Sequence, residues 1–126
     1  MRKFITVLLP VIFLSGCAAK GNGLAGQWVF ADKGLGPLVL TFSEDGRFLV
    51  DADSDGNKDI WGRYDLYGER IEFIDDMPWI ISDCNEPGFH FYRIDQGTLL
   101  FSEFADSCRP RKDVLKRPMV RKRRNK

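Results

Sequence analysis

The sequence predicts an all-β fold, a small antiparallel domain that closes as a barrel or packs as a sandwich. After residue 23, apolar residues alternate with polar ones, and helical periodicity is nearly absent. Turn-forming residues separate these segments at short intervals, as in domains built from about eight strands. A closed β-barrel is favoured because closure removes exposed strand edges.

Each strand follows from alternation bounded by turns. Leu38, Leu40 and Phe42 share one face of the second segment, and Asp45-Gly46 after it is a strong hairpin signal. The predicted strands, in chain order, are 24–30, 37–42, 47–50, 60–66, 70–74, 88–94, 98–104 and 111–115. The longest connection, 75–87, carries apolar residues, and we expect part of it to pack on the body.

The N-terminal segment carries a targeting pattern. Arg2 and Lys3 precede an apolar run over 4–14, which is shorter than the roughly 20 residues of a membrane-spanning helix. The run ends in Leu14-Ser15-Gly16-Cys17, which resembles the lipobox of bacterial lipoproteins. The resemblance implies that 1–16 is a signal peptide and that Cys17 is acylated. Residues 17–23 would then be a lipidated tether.

The residue after Cys17 indicates which membrane would hold the protein. It is Ala18 rather than aspartate, which by the same resemblance favours the outer membrane, facing the periplasm, in a Gram-negative host. In this oxidising compartment we expect Cys84 and Cys108 to form a disulfide, which would contribute about 3–4 kcal/mol. Two free buried thiols are the alternative. A metal pair is less expected because His90 is the sole histidine and no CxxC spacing occurs.

Charge is distributed unevenly. Residues 18–108 hold seven bases and seventeen acids, whereas 109–126 hold ten bases and one acid. We expect 117–126 to be a disordered tail, because so basic a run buries little apolar surface. Arg121, Lys122, Arg123 and Arg124 are the candidates for binding an anionic lipid or envelope protein. The tail could instead remain solvated or fold back on the acidic body, and nucleic acid is not an expected partner.

Gly26-Gln27-Trp28 on the first strand resembles the Gly-x-Trp signature of lipocalins. The resemblance implies a lipocalin-like β-barrel over 24–116, in which a late basic residue packs across the Trp28 ring and closes one end. Arg111 is the candidate for that residue, with Arg109 second. A small apolar ligand would be expected if the barrel holds a cavity, but the aromatic content of 13% favours a filled interior.

The stretch 51–59 is rich in carboxylates at alternate positions. Such spacing allows several oxygens to converge on one Ca²⁺, and it resembles the calcium hairpins of β-propeller repeats. The candidate ligands are Asp51, Asp53, Asp55, Asp59 and the backbone carbonyl of Asn57. A true EF-hand is not expected, because its twelfth position here is Gly62 rather than glutamate. A solvated hairpin tip without an ion is the alternative, and any bound calcium would be structural.

The sequence contains no recognisable catalytic constellation. His90 stands alone, and the adjacent pair Asp75-Asp76 would point to opposite faces of a strand. We therefore expect a non-enzymatic, lipid-anchored binding module of the cell envelope. The alternatives are an inhibitor of proteases or lysozyme, a structural protein that bridges anionic surfaces, and a carrier of a small apolar ligand.

Overall fold

A computed structural model describes residues 23–56, 58–77, 84 and 86–123. The strands are β1 (Gly26–Phe30), β2 (Val39–Phe42), β3 (Arg47–Asp51), β4 (Ile60–Tyr67), β5 (Arg70–Met77), β6 (Gly88–Asp95), β7 (Thr98–Ala105) and β8 (Met119–Arg121). A 3-10 turn, Lys33–Leu35, follows β1, and the helix α1 (Arg109–Leu115) precedes β8.

The strands form a closed antiparallel barrel in which each pairs with the next, and β8 returns to β1. This confirms the predicted all-β barrel. The closing pair joins Trp28 to Arg121 and Phe30 to Met119. Because the order is a simple meander, successive connections alternate between the two ends of the barrel.

The two ends differ in the length of their connections. The tether end consists of residues 23–25, the turns 43–46, 68–69 and 96–97, and residues 122–123. The loop end consists of the described residues of the connections 31–38, 52–59, 78–87 and 106–118, the last of which contains α1. All the long connections therefore lie at one end.

Aromatic rings occupy the interior of the barrel. The Phe42 ring lies 5.1 Å from Tyr64, 6.1 Å from Phe73 and 6.5 Å from Phe101, measured between centroids. The Phe73 ring in turn meets Phe48 edge-on at 5.3 Å. Such edge-on and tilted pairs contribute about 0.5–1.5 kcal/mol beyond their burial. Among the described residues, these aromatic side chains pack against one another in the centre of the barrel.

The C-terminal region differs from the prediction. Residues 111–115, predicted as the last strand, belong to α1 instead. This helix has Pro110 in its first turn and buries Arg111 and Leu115. The last strand is β8, in a segment predicted to be disordered. Its Met119 is fully buried, and pairing with both β1 and β7 orders a stretch whose composition alone indicated disorder.

Several predictions fall outside the described residues: the signal peptide 1–16, the acylated Cys17 with its tether up to residue 22, the apolar residues of 78–83, Asn57 and Arg124. In the part of the chain that the structure describes, no helix has both the length and the apolar character needed to span a membrane.

Candidate functional site

Trp28 closes the tether end of the barrel with Arg121. The Arg121 guanidinium lies 4.2 Å above the Trp28 ring and donates hydrogen bonds to the carbonyls of Gly23 and Ala25. The Trp28 indole N–H donates to the Leu24 carbonyl at 2.8 Å. The prediction of a basic residue across Trp28 was right in kind but wrong in identity, because Arg111 lies elsewhere.

Gly26 explains why this contact is possible. A Cβ on Gly26 would collide with the Arg121 guanidinium, and its φ of 125° is disfavoured for other residues. The Gly-x-Trp pattern therefore leaves room for the cation that covers the tryptophan. Arg121 was predicted to bind an anionic surface, but its guanidinium is occupied by these contacts.

Arg111 forms a buried ionic network near the loop end of the barrel. Its Nε and Nη2 donate to the two oxygens of Asp106 at 2.7 and 2.8 Å, and its Nη1 lies 2.9 Å from Asp75 Oδ1. His90 Nε2 lies 2.7 Å from Asp106 Oδ2. Since an ionised carboxylate only accepts, this nitrogen carries the proton. α1 positions Arg111 here because its first turn follows directly on Asp106 and Cys108.

Burial and charge oppose each other in this network. Burial alone would raise the pKa of Asp106, but hydrogen bonds from Arg111, His90 and the Cys108 amide outweigh it and hold this pKa well below its usual range. Burial raises the pKa of Asp75 despite the attraction of Arg111. Burial also opposes the charge on Arg111, but the two carboxylates raise its pKa. The network therefore keeps a guanidinium and a carboxylate charged inside the barrel.

The predicted disulfide between Cys84 and Cys108 is present beside this network. The Cys108 amide donates to Asp106 at 2.8 Å, so the disulfide and the ionic cluster share one anchoring point. Gly88 also belongs here, because a Cβ at this position would lie 2.5 Å from Arg111 and Asp106. Asp75 lies within reach of both cysteine sulfurs, but the disulfide removes them as thiolate ligands for a metal.

Sequence reasoning missed this network. Asp75, His90, Asp106 and Arg111 come from different elements, and no spacing connects them. One local signal was available: Arg111 and Leu115 are four residues apart, which is a helical spacing. It was obscured because an arginine indicates an exposed position in a hydropathy pattern.

The acidic loop brings four of its predicted ligands together. Asp51, Asp53, Asp55 and Asp59 each offer an oxygen, and these four atoms lie within 4.8 Å of one another. Two oxygens on opposite sides of a Ca²⁺ ion are separated by about 5 Å at most, so the cluster fits one such ion. The chemistry also fits, because hard cations prefer carboxylate oxygens.

Backbone amides shape this loop. Asp51 accepts hydrogen bonds from the Asp55 and Gly56 amides at 3.2 and 2.9 Å, and Asp59 accepts one from Ala52 at 2.8 Å. Desolvation would raise the pKa of Asp51, but the Gly56 amide and neighbouring groups lower it. Desolvation, together with the adjacent Asp51 and Asp55, raises the pKa of Asp53. Mutual repulsion among the carboxylates is therefore only partly relieved by the loop itself.

The barrel opens at the loop end into a cavity of about 380 Å³, named here the mouth pocket. Its floor is formed by His90 and Phe101, whose rings meet edge-on at 6.3 Å. Its walls are formed by Glu103 of β7, by Arg109, Lys112 and Asp113 of α1, and by Lys116, which caps the C-terminus of that helix.

The remaining described tail residues are Lys122 and Arg123, and Lys122 lines a cavity of about 150 Å³ together with Asp51, Ser54 and Gly56 of the acidic loop. The Lys122 amide donates to the Gln27 carbonyl at 2.9 Å, so the chain follows β1 beyond Arg121. Lys122 and Arg123 are exposed.

Comparison with family models, curated proteins and solved structures found no match for this chain.

Proposed function

We propose that this protein is a non-enzymatic, lipid-anchored binding module of the bacterial cell envelope, with a lipocalin-like architecture. The observation that carries the proposal is the antiparallel pairing of β1 with β8. It places the residue before β1 and the residue after β8 at the same end of the barrel. A lipid on Cys17 would therefore hold the tether end at the membrane and direct the loop end away from it.

The length of the tether strengthens this argument. Gly23 is the sixth residue after Cys17, and even a fully extended chain of that length reaches only about 20 Å. Arg121 contacts Gly23, so the residues that follow β8 begin within that distance of the anchor. Lys122, Arg123 and, by sequence, Arg124 can then reach anionic headgroups, each base contributing roughly 1 kcal/mol at a charged surface.

The anchor is tested by metabolic labelling with a fatty acid. We expect label on the wild-type protein and none on Cys17→Ser, together with cleavage before residue 17. A Cys17→Ser protein that still carries the label would contradict the proposal.

The tail is tested separately on vesicles. In the Cys17→Ser background, replacing Lys122, Arg123 and Arg124 by glutamine should reduce sedimentation with anionic vesicles at low salt. The matched control replaces Lys33, Lys58 and Arg63, exposed bases that are not in the tail. Equal binding by the two triple variants would exclude the tail as a membrane contact.

We also propose that the acidic loop binds one structural Ca²⁺. Asp51, Asp53, Asp55 and Asp59 would hold the ion and connect β3 to β4 rigidly. A calorimetric titration should show binding, and a concentration of about 100 Kd should stabilise the protein by about 2.7 kcal/mol. Asp53→Asn should weaken this binding, whereas Asp113→Asn on α1 should not. Absence of both heat and stabilisation at millimolar calcium would remove the site.

A structural bridging role is the second candidate. It is favoured by the clustering of charge, with four carboxylates in the acidic loop and exposed bases after β8. A bridging protein should aggregate anionic vesicles only when calcium and the intact tail are both present, whereas a binding module should not aggregate them.

A further inference from the structure

We propose that the mouth pocket binds a small organic carboxylate, with its head near the cations of α1 and a compact apolar body against Phe101. The inference rests on the proposed role of the loop end as the binding end of the module. The mouth pocket has a volume of about 380 Å³, which lies within the range of small-molecule sites, roughly 300–1,000 Å³.

Cations converge on this pocket from α1 and its C-terminal cap. Arg109 and Lys112 of α1, and Lys116 that caps its C-terminus, are spaced i, i+3 and i+7, and all three line the pocket. Arg111, on another face, is already neutralised by Asp75 and Asp106 and does not take part.

The pairing of these cations indicates a carboxylate as the ligand. Lys112 Nζ lies 3.7 Å from Glu103 Oε1, and Lys116 Nζ lies 3.2 Å from Asp113 Oδ1. Both carboxylates are more than half exposed, at 53% and 58%, and such exposed pairs contribute only about 0–1 kcal/mol. A ligand carboxylate can therefore replace Glu103 at little cost.

The pocket is also held in shape before any ligand arrives. α1 is fixed by the buried Arg111 network and by the disulfide at Cys108. Asp106 orients His90 on the floor through the 2.7 Å contact to Nε2. A preorganised site loses less entropy on binding than a flexible loop would.

The test is a calorimetric and NMR titration of the full chain in detergent with two probes, octanoate and benzoate. Octanoate represents a lipid-derived carboxylate and benzoate a compact free metabolite, so preference between them distinguishes the two sources. We expect at least one to bind, with shifts at His90 and Phe101, and the matching neutral amide to bind at least about tenfold more weakly.

Three variants decide between specific binding and general electrostatics. Arg109→Gln with Lys112→Gln should weaken binding about tenfold or more, because it removes two of the three cations that line the pocket; a tenfold change corresponds to about 1.4 kcal/mol. Glu103→Gln should strengthen binding, because it removes the competing carboxylate. The control, Lys58→Gln with Arg63→Gln, makes the same charge change outside the pocket and should have no effect.

Three results would overturn the inference: no binding of either probe at about 1 mM, equal binding of the neutral amides, or equal weakening by the control pair. None of these results affects fatty-acid labelling of Cys17. Failure of the pocket is thereby distinguishable from failure of the anchor.

Discussion

Asp106→Asn tests whether the buried network stabilises the fold. Asp106 is an acceptor for four donors: Arg111 Nε and Nη2, His90 Nε2 and the Cys108 amide. Each carboxylate oxygen receives one Arg111 donor. An asparagine must place its NH₂ group where one of these oxygens was. Because each oxygen accepts from two donors, the NH₂ group faces two donors in either orientation. The substitution conserves shape but creates a donor–donor contact inside the barrel.

The magnitude follows from burial. The Asp106 side chain is 0% exposed and that of Arg111 2% exposed, and breaking such a buried pair typically costs about 3–5 kcal/mol. Domains of this size are stable by about 5–15 kcal/mol, so the variant should lose a large share of its stability. The midpoint of thermal unfolding should fall by about 10 °C or more.

The assay is urea and thermal unfolding of the oxidised protein, followed by circular dichroism. Asp113→Asn is the matched control, because it makes the same change on α1 at an exposed ion pair and should cost less than about 1 kcal/mol. A loss for Asp106→Asn of less than about 1 kcal/mol would refute the reasoning, since the network would then add nothing beyond an ordinary surface pair.

The pH dependence supplies a second readout. The folded pKa of Asp106 lies below its unfolded value of about 3.9, so its contribution is present above that pH and is lost as the pH falls through the folded pKa. Asp75, whose pKa is raised, acts in the opposite sense. The difference between wild type and Asp106→Asn should therefore shrink on acidification below about pH 4. A difference that stays constant down to strongly acidic pH would contradict the charged state assigned to Asp106.

Three further predictions concern the two ends of the barrel. Reduction of the Cys84–Cys108 disulfide should lower the free energy of unfolding by about 3–4 kcal/mol in a urea titration, and an unchanged midpoint would contradict this. Arg121→Ala should lower the free energy of unfolding by about 0.5–2 kcal/mol through loss of the contact with Trp28, whereas Arg123→Ala should not measurably change it. Equal effects of the two variants would contradict this. Gly88→Ala should reduce the yield of folded protein, because its Cβ would lie 2.5 Å from the Arg111–Asp106 pair, and a normal yield with unchanged thermal unfolding would contradict this.

The strands could be predicted because their determinants are local. Alternation fixes which face of a segment is buried, and the Asp45-Gly46 turn fixes a hairpin without reference to the rest of the chain. Small differences at the strand ends, such as the extension of β5 to Met77, depend on which partner lies alongside. The disulfide could be predicted because the resemblance of residues 14–17 to a lipobox assigned Cys17 to a lipid, which left Cys84 and Cys108 as one pair.

The C-terminal region could not be predicted in the same way. β8 has only three residues, too few to display alternation, and it is ordered by the two edges it joins. Arg111 and Arg121 have the same residue type, so sequence could not determine which one covers Trp28. That choice depends on the register of β8 against β1, which places Arg121 opposite Trp28.

If the protein is anchored as proposed, the meander also constrains where binding can evolve. The turns at the tether end are short, and they carry the acids Glu44, Asp45 and Glu69, which an anionic membrane would repel. The proposed tether of about 20 Å would hold these turns close to the surface, where positive charge at the same end would offset the repulsion. The residues after β8 supply it, since the closing strand must end beside the start of β1. On the proposed anchoring, the bases after β8 would offset the acidic turns near the membrane, and the long connections at the loop end form the acidic loop and the mouth pocket.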